Sequence, residues 1–223
     1  MIKAIFFDLD GTLVNSLADL AGSMNYVLNK NGFPIHNEEK YKYFVGDGIP
    51  KLVERALPED NRDAETQEKC LKEFFNYYAE HFYDFTDSYD GIPETVNALK
   101  QAGYIIAVVS NKAQNMALKV VEKIFGDIFY LVAGKREGYP AKPDPALTLK
   151  VMEELGVKPE ECVFVGDSGM DMLTAVNCGS VPVGVLWGFR TESELRKNGA
   201  EYLLSNPCQL IDLVKEINNV SKF

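Results

Sequence analysis

Cysteine, histidine and positive charge are scarce in this sequence, and each shortage excludes a class of protein. The 223 residues include four cysteines and no C-x-x-C pair, which excludes a disulfide scaffold and favours reduced thiols in the cytoplasm. The two histidines, His36 and His81, lie far apart, so a histidine-rich zinc site or a histidine-based triad lacks its residues. With 23 Lys and Arg against 33 Asp and Glu, the net charge of −10 disfavours a surface for nucleic acid or anionic membranes.

Long apolar runs and nucleotide-binding loops are missing as well. The N-terminal run M-I-K-A-I-F-F is broken by Asp8, and it is too short and too acidic for a signal peptide or a membrane span. Neither G-x-x-x-x-G-K-[ST] nor G-x-G-x-x-G occurs. We therefore expect a cytoplasmic protein without a membrane segment. At roughly 150 residues per domain, the length predicts one domain with a large insertion, or two small domains.

What the sequence does contain is a series of short apolar runs that alternate with helical patterns. The runs predict five strands and a weaker sixth, at residues 2–7, 104–111, 128–134, 162–167, 181–188 and 201–205. The helical patterns cover residues 93–101, 114–125, 145–155, 170–177 and 207–218. This alternation indicates βαβ units, which build a doubly wound, mostly parallel α/β sheet with its ligand site at the carboxyl ends of the strands.

Residues 15 to about 90 break this alternation, because their apolar residues recur at helical spacing with no strand among them. The predicted helices run from Ser16, which can cap the first, to Gly32, and then over 37–44, 49–57 and 66–82. We expect a small helical bundle inserted into the sheet domain, with hinges near residues 14–16 and 84–91.

The most informative segment is Asp8-Leu9-Asp10-Gly11-Thr12, directly after the first predicted strand. Because alternate residues of a strand face the same side, both carboxylates can face one site. An acidic turn that caps the next helix is the alternative, but it accounts for one aspartate and not for both.

This segment resembles the first motif of the haloacid dehalogenase-like hydrolase superfamily, and the three other motifs of that family follow in order. Ser110 ends the second predicted strand in V-V-S-N, Lys142 lies in A-K-P-D-P, and G-D-S-G-M-D follows the fourth strand at residues 166–171. The resemblance covers essentially the whole chain. It implies a Rossmann-like catalytic core of residues 1–14 and 88–223, with an inserted α-helical cap domain of residues 15–87.

The resemblance implies a role for each motif residue. Asp8 attacks phosphorus and forms an aspartyl-phosphate that water later hydrolyses. Asp10 protonates the leaving oxygen and then deprotonates the water, so it must hold a proton at neutral pH, which a neighbouring carboxylate favours. Lys142 offsets the charge of the reacting groups, and Ser110 holds a phosphate oxygen. The core residues assigned to substrate binding are Thr12 and Asn111.

The resemblance also implies Mg²⁺, because a cation with hard oxygen ligands reduces the repulsion between Asp8 and the phosphate. The expected ligands are Asp8, the backbone carbonyl of Asp10, and Asp167. Asp171 is expected to orient these ligands without binding the metal. A first-turn acid favoured by the helix dipole is an equally good interpretation of Asp171.

Within the helical insert, residues 44–57, F-V-G-D-G-I-P-K-L-V-E-R-A-L, are similar to the phosphoglycolate phosphatase subgroup. The similarity implies that this glycine-rich turn faces the catalytic aspartates and binds substrate through Gly46, Asp47, Gly48 and Lys51 or Arg55. A helix connector whose glycines serve backbone geometry is an equal alternative. Asp47 is unfavourable beside an anionic substrate. If Asp47 binds a hydroxyl group instead, a sugar phosphate is favoured over phosphoglycolate.

These motifs predict a magnesium-dependent phosphatase that hydrolyses a small phosphomonoester, phosphoglycolate or a sugar phosphate, through an aspartyl-phosphate. The alternatives are a sugar phosphomutase of the same superfamily, a pyrophosphatase, and a non-catalytic phosphate-binding regulator. The expected partner is a small phosphate ester and neither nucleic acid nor membrane, and the chain is expected to be a monomer or a homodimer. Two basic residues are left outside the predicted site: we expect Lys112 to be solvated and Arg190 to form an exposed salt bridge.

Overall fold

The computed structural model describes residues 1–220, which fold into two units. Met1–Val14 and residues 88–220 form the first, which we call the sheet unit, and Asn15–Asp87 form the second, the helical unit. The roles of these units as catalytic core and cap stay predictions. Within residues 1–220, no helix is both long enough and apolar enough to cross a membrane.

In chain order the elements are β1 (Ala4–Phe7), β2 (Val14–Asn15), α1 (Leu17–Lys30), α2 (Glu38–Tyr41), α3 (Ile49–Ala56), α4 (Ala64–His81), β3 (Asp87–Ser88), α5 (Ile92–Gln101), β4 (Ile105–Ala113), α6 (Gln114–Phe125), β5 (Leu131–Lys135), α7 (Ala146–Leu155), β6 (Cys162–Gly166), α8 (Gly169–Cys178), β7 (Val181–Val185), α9 (Glu192–Lys197), β8 (Tyr202–Leu204) and α10 (Gln209–Val220).

Six strands of the sheet unit pair in parallel in the order β5-β4-β1-β6-β7-β8. The predicted doubly wound, mostly parallel α/β sheet is thereby confirmed. In the centre, Phe7 of β1 is in register with Val108 of β4 and Val165 of β6. The chain first moves to one side of β1 through β4 and β5, and it then returns to the other side at β6. Ligands of open α/β sheets bind beyond the carboxyl ends of the strands at such a reversal.

The central strand is held by apolar packing on both faces. All four residues of β1 are buried, as expected for a strand covered by helices on both sides. Ala4 and Phe6 belong to a core cluster that includes Val151 of α7 and Ala175 of α8. This packing fixes the end of β1, and therefore the starting point of the segment that follows it.

The structure corrects several predicted bounds in the sheet unit and adds one helix. β4 continues to Ala113, so it includes Lys112, which lies outside the strand predicted for residues 104–111. β5 begins at Leu131, later than the predicted residue 128. The helix α9 was not predicted; its first turn is capped by the Thr191 side chain, which accepts a hydrogen bond from the N–H of Glu194.

In the helical unit, α1 packs against α2 and α4, and α3 packs against α4. The apolar stripe predicted for α4 is only partly buried: Cys70, Phe74 and Tyr78 face the interior, whereas Phe75 is 40% exposed. Ser16 stands at the N-cap of α1, but its side chain makes no capping hydrogen bond, contrary to the prediction.

A buried aspartate fixes the segment that leads into β3. Asp19, in the first turn of α1, accepts hydrogen bonds from the N–H of Phe85 (3.0 and 3.1 Å), the N–H of Thr86 (2.8 Å) and the Thr86 hydroxyl (2.6 Å). A buried carboxylate is tolerated only when such donors satisfy it. β2 and β3, which carry the chain between the two units, pair with each other.

Candidate active site

β1 carries Asp8 and Asp10 to the point where the strand order reverses. Asp8 follows β1 directly, and its N–H donates to the carbonyl oxygen of Val165 in β6 at 2.9 Å. The chain then turns sharply at Gly11, which has φ of +88° and donates its N–H to the Val14 carbonyl at 2.8 Å. Glycine adopts this backbone conformation without strain, unlike residues with a Cβ. The G-T that follows D-L-D in the sequence thus has a geometric reason.

Lys142 joins Asp8 to a second carboxylate. Its Nζ lies 2.8 Å from Asp8 Oδ1 and 2.6 Å from Asp171 Oδ1, and it donates to the Val109 carbonyl at 3.2 Å. The Lys142 side chain is only 5% exposed. Burial by itself lowers the pKa of Lys142, but the carboxylates of Asp171 and Asp8 outweigh this and raise the pKa above its ordinary value. Lys142 is therefore an ammonium that bridges two acids.

Asp167 follows β6 and is oriented by its neighbours. The N–H of Phe189 donates to Asp167 Oδ2 at 2.8 Å, and the Thr12 hydroxyl donates to Oδ1 at 3.2 Å. A Cβ at Gly11 or at Gly188 would collide with this carboxylate, so the close approach requires glycine at both positions. Thr12 is fully buried and its hydroxyl contacts Asp167; its binding of substrate stays a prediction.

Asp171 serves both the helix α8 and the acidic cluster. Its Oδ2 accepts hydrogen bonds from the Ser168 N–H at 3.0 Å and the Ser168 hydroxyl at 2.6 Å, and Ser168 Oγ accepts from the Asp171 N–H at 3.4 Å. These reciprocal bonds form a capping box at the start of α8. Its other oxygen contacts Lys142. Asp171 is thus an acid of the first turn of α8 that also contacts Lys142, while its role in orienting metal ligands stays a prediction.

Three buried carboxylates converge at this edge of the sheet. Asp8, Asp167 and Asp171 each offer an oxygen atom, and the three atoms lie within 4.8 Å of one another. Burial and then the charge of Asp171 raise the pKa of Asp8 to about 6, although Lys142 opposes the shift. Burial and then the charges of Asp171 and Asp8 raise the pKa of Asp167 to about 8.

The donor set of this cluster fits a divalent metal ion. Carboxylate oxygens are hard ligands of the kind that such cations prefer. Lys142 brings one positive charge to three acids, so the cluster keeps an excess of negative charge when all three are ionised. After burial, which is the larger cause, the charges of the neighbouring acids also raise the pKa values of Asp8 and Asp167.

The end of β4 adds three buried polar residues. Ser110 Oγ accepts a hydrogen bond from the Lys112 N–H at 3.2 Å. The Asn111 side chain accepts from the Lys142 N–H at 2.8 Å and donates to the Lys142 carbonyl at 3.4 Å. Asn111 thus fixes the backbone of Lys142, while its predicted contact with substrate stays a prediction.

The expectation that Lys112 is solvated is wrong. Its side chain is 4% exposed, and Nζ contacts both carboxylate oxygens of Asp10, at 3.0 and 3.1 Å. The signal available in the sequence was the position two residues after Ser110, because alternate residues of an extended chain return to the same side. The strand predicted for residues 104–111 ends one residue before Lys112, so this signal was missed.

The loop after β7 supports the first motif through contacts that the sequence did not indicate. Trp187 Nε1 donates to the Thr12 carbonyl at 3.0 Å. The contact of Phe189 with Asp167 uses the backbone N–H, which every residue except proline can supply. The expected salt bridge of Arg190 is present, at 3.5 Å from Glu194, but the Arg190 side chain is only 11% exposed.

In the helical unit, Arg55 organises the glycine-rich turn. It forms an ion pair with Asp47, and its Nη1 donates to the carbonyl of Phe44 at 3.2 Å. The turn glycines with positive φ are Gly46 (+109°) and Gly48 (+89°). Lys51, in α3, instead pairs with Glu54 at 2.6 Å in a largely exposed position. The charge of Asp47 is thus balanced within the helical unit, and substrate binding by the turn stays a prediction.

Comparison with known proteins gives a consistent result. The family model for the haloacid dehalogenase-like hydrolases matches residues 5–185. A phosphoglycolate phosphatase of Chromobacterium violaceum is 34% identical over 219 residues, which cover 96% of this chain and 97% of the relative. A phosphoglycolate phosphatase of Haemophilus influenzae strain Rd is 33% identical, with coverage of 95% and 98%.

A solved structure agrees with this relationship. The crystal structure of a predicted phosphoglycolate phosphatase from Haemophilus somnus has a TM-score of 0.88 and 29% identity, and the match covers 96% of this chain and 98% of that one. The resemblance inferred from the four sequence motifs is confirmed, and the chain belongs to the haloacid dehalogenase-like hydrolase family.

Proposed function

We propose that this protein is a magnesium-dependent phosphatase that hydrolyses a small phosphomonoester through an aspartyl-phosphate on Asp8. One observation carries the proposal: Asp8, paired with Lys142, stands beside two further buried carboxylates where the strand order reverses. The full-length similarity to phosphoglycolate phosphatases supports a phosphoric monoester as the substrate.

Asp8 is the proposed nucleophile. One of its oxygens attacks phosphorus, the bond between phosphorus and the ester oxygen breaks, and the phosphoryl group passes to the carboxylate. Lys142 offsets the negative charge of Asp8 and of the incoming phosphoryl group, and Asp171 and the Val109 carbonyl hold the Lys142 ammonium in place. A carboxylate nucleophile divides one difficult displacement into two easier steps.

Asp10 is the proposed general acid and base. In the first step it gives its proton to the departing ester oxygen. In the second step it takes a proton from the water that attacks the aspartyl-phosphate, which restores the Asp8 carboxylate and releases inorganic phosphate. The buried Ser110 is proposed to hold a phosphate oxygen, together with backbone amides near the end of β4. Thr12 and Asn111 are proposed to support this arrangement and the bound substrate.

The residues proposed to hold Mg²⁺ are Asp8, Asp167 and the backbone carbonyl of Asp10. Asp171 has Lys142 on one oxygen and Ser168 on the other, which supports an orienting role for it. Mg²⁺, when bound, supplies positive charge that reduces the repulsion between Asp8 and the phosphate oxygens.

The helical unit is proposed to act as a cap, with the turn of Gly46, Asp47 and Gly48 and the nearby Lys51 selecting the leaving group. The ion pair between Arg55 and Asp47 bears on the alternatives. A phosphomutase must bind a bisphosphate, and an arginine already occupied by a carboxylate and a carbonyl has little to offer a second phosphate. We therefore favour hydrolysis of phosphoglycolate or a sugar phosphate over mutase activity. A cytoplasmic location and a monomeric or homodimeric state stay predictions.

The test is phosphate release from phosphoglycolate, sugar phosphates, nucleoside monophosphates, pyrophosphate, acetyl phosphate and p-nitrophenyl phosphate, with Mg²⁺ and with a chelator. Asp8→Asn is the inactive variant, and Asp212→Asn, at an exposed position on α10, is the matched control. We expect Mg²⁺-dependent release that Asp8→Asn abolishes and Asp212→Asn preserves.

Other outcomes identify the alternatives. An isomeric sugar phosphate formed without free phosphate would indicate a mutase, and release from pyrophosphate alone would indicate a pyrophosphatase. Turnover that survives in Asp8→Asn would refute the aspartyl-phosphate. No turnover with any substrate, together with phosphate binding, would favour a non-catalytic regulator.

A further inference from the structure

We propose that Lys112 is a positioning residue for Asp10, which it holds in the orientation that proton transfer to the leaving oxygen requires. The inference rests on the proposed function, since it assigns a second residue to the acid–base step. Nothing in the sequence motifs assigned Lys112 to the site, and the evidence for it comes from its burial and its contacts.

The first argument is the burial of the lysine. The Lys112 side chain is 4% exposed, whereas that of Asp10 is 21% exposed, so the cation is the more deeply buried partner. Taking an ammonium out of water is strongly unfavourable unless a partner compensates for the lost hydration. A lysine needed only for solubility would extend into solvent. The buried position of Lys112 is therefore explained by what its ammonium contacts.

The second argument is the geometry of the contact. Nζ is nearly equidistant from the two carboxylate oxygens of Asp10, at 3.0 and 3.1 Å. A contact with one oxygen would leave the carboxylate free to rotate about its bond to Cβ. Contact with both oxygens fixes the direction in which the carboxylate points. When Asp10 carries the proton that the acid step needs, Lys112 keeps its hydrogen bond to the carbonyl oxygen, and the protonated oxygen is free to donate to the leaving group. Directional control matters here, because proton transfer requires a donor within hydrogen-bond reach of the acceptor.

The third argument is the close packing of the lysine's own backbone. Lys112 lies within β4, and its N–H donates to Ser110 Oγ at 3.2 Å. On the neighbouring strand β5, a Cβ at Gly134 would lie 2.6 Å from the Lys112 carbonyl oxygen, so the two backbones are closely packed. An anchor on a packed strand can hold a partner more firmly than a loop residue can.

The site thus assigns a different lysine to each aspartate of the first motif. Lys142 contacts Asp8, and Lys112 contacts Asp10. Lys142 offsets charge at the nucleophile, so removing it affects every substrate. Removal of Lys112 should affect only those substrates that need a proton from Asp10. This difference separates a positioning role from a general electrostatic or structural one.

The leaving group supplies the test. A p-nitrophenolate departs readily without protonation, whereas the alkoxide of an alkyl phosphate needs a proton as the phosphorus–oxygen bond breaks. We compare kcat/KM for p-nitrophenyl phosphate with kcat/KM for phosphoglycolate, or for the best alkyl phosphate of the substrate panel. This ratio of constants reports steps up to phosphoryl transfer and excludes the later hydrolysis of the aspartyl-phosphate.

In Lys112→Met we expect kcat/KM for the alkyl phosphate to fall by about 10- to 100-fold, because a displacement of about 1 Å at a catalytic group can cost about 100-fold. The kcat/KM for p-nitrophenyl phosphate should stay at the parent value. Lys112→Arg, which keeps the charge, should show a smaller loss confined to the alkyl phosphate. Lys150→Met, which removes an exposed lysine paired with Glu153, is the control and should change neither substrate.

A double variant adds an independent readout. Since Lys112 is proposed to act on the acid step through Asp10, Lys112→Met should cause no further loss for the alkyl phosphate, relative to p-nitrophenyl phosphate, in an Asp10→Asn background. Circular dichroism and thermal unfolding establish that each variant is folded. If Lys112→Met does not fold, Lys112→Arg carries the comparison.

Equal losses for the two substrates, no loss for either, or additive losses with Asp10→Asn would overturn the inference. Failure of the proposed function is distinguishable, because it would appear as turnover of p-nitrophenyl phosphate by Asp8→Asn.

Discussion

Replacement of Lys142 by methionine should cost stability in a pH-dependent way. The substitution keeps an unbranched side chain of similar length and removes the ammonium that lies 2.8 Å from Asp8 and 2.6 Å from Asp171. Removal of one partner from a buried ion pair typically costs about 3–5 kcal/mol, because the other charge is left uncompensated. With two acids affected and the Lys142 side chain only 5% exposed, we expect a loss in this range at about pH 8 in the metal-free protein.

The loss should be smaller at about pH 5. Burial and Asp171 already raise the pKa of Asp8 to about 6 with Lys142 present, and without Lys142 the pKa rises further. A carboxyl whose pKa is higher in the folded protein favours folding at low pH, and this contribution disappears as pH rises through the folded pKa. At pH 5 Asp8 therefore takes up a proton, and less uncompensated charge remains.

The assay is urea unfolding at both pH values in the presence of a chelator, followed by far-ultraviolet circular dichroism. Lys150→Met, at an exposed lysine, is the control and should leave the free energy of unfolding unchanged. Adding Asp171→Asn to Lys142→Met should restore part of the loss at pH 8, because it removes one of the unpaired carboxylates. A loss of equal size at the two pH values, or no loss at pH 8, would refute the electrostatic reasoning.

Three further predictions concern the turn after β1, the helical unit and the metal. Gly11→Ala should lower both stability and phosphatase activity, because Gly11 has φ of +88° and its new Cβ would collide with the Asp167 carboxylate. Gly32→Ala, at φ of +73° with open space around the Cβ, should lower stability alone, and an equal loss of activity in both variants would contradict this. Asp19→Ala should lower the free energy of unfolding by about 3 kcal/mol, because it leaves buried donors unpaired. Asp63→Ala removes an exposed carboxylate with similar donors and should lower the free energy of unfolding clearly less; equal losses in urea unfolding would exclude the role of burial. Because burial and the neighbouring acids raise the pKa of Asp167 to about 8, Mg²⁺ should bind more tightly as pH rises from 6 to 8.5 and should release protons. Calorimetry over this pH range measures the affinity, and calorimetry in two buffers of different ionisation enthalpy measures the protons released. Binding that is independent of pH would disprove the prediction.

The alternation of strands and helices could be predicted from the sequence because parallel strands buried on both faces leave continuous apolar runs. The run that ends at Phe7 is the clearest case, with all of β1 buried. Boundaries were less predictable. β4 continues past Asn111 into a lysine, and a charged residue within a strand looks like a loop until its partner is known.

The same limit applies to the candidate site. Asp8 and Asp167 could be identified because each directly follows a buried strand, and Lys142 because it lies in the short motif A-K-P-D-P ahead of α7. The partner of Lys112 could not be identified from the sequence, because Asp10 lies 102 residues away and the two meet only through the neighbouring positions of β1 and β4. The contact of Phe189 with Asp167 uses a backbone N–H and therefore leaves no trace in residue type.

The capping box of α8 has a consequence for how this sequence can diverge or be redesigned. One carboxylate, that of Asp171, both closes the first turn of the helix with Ser168 and holds the ammonium of Lys142. A substitution at position 171 therefore changes helix initiation and site electrostatics together, and neither can be tuned alone. We expect residues 142, 168 and 171 to vary as a set in related sequences, and a library that randomises one of them to recover few folded and active variants.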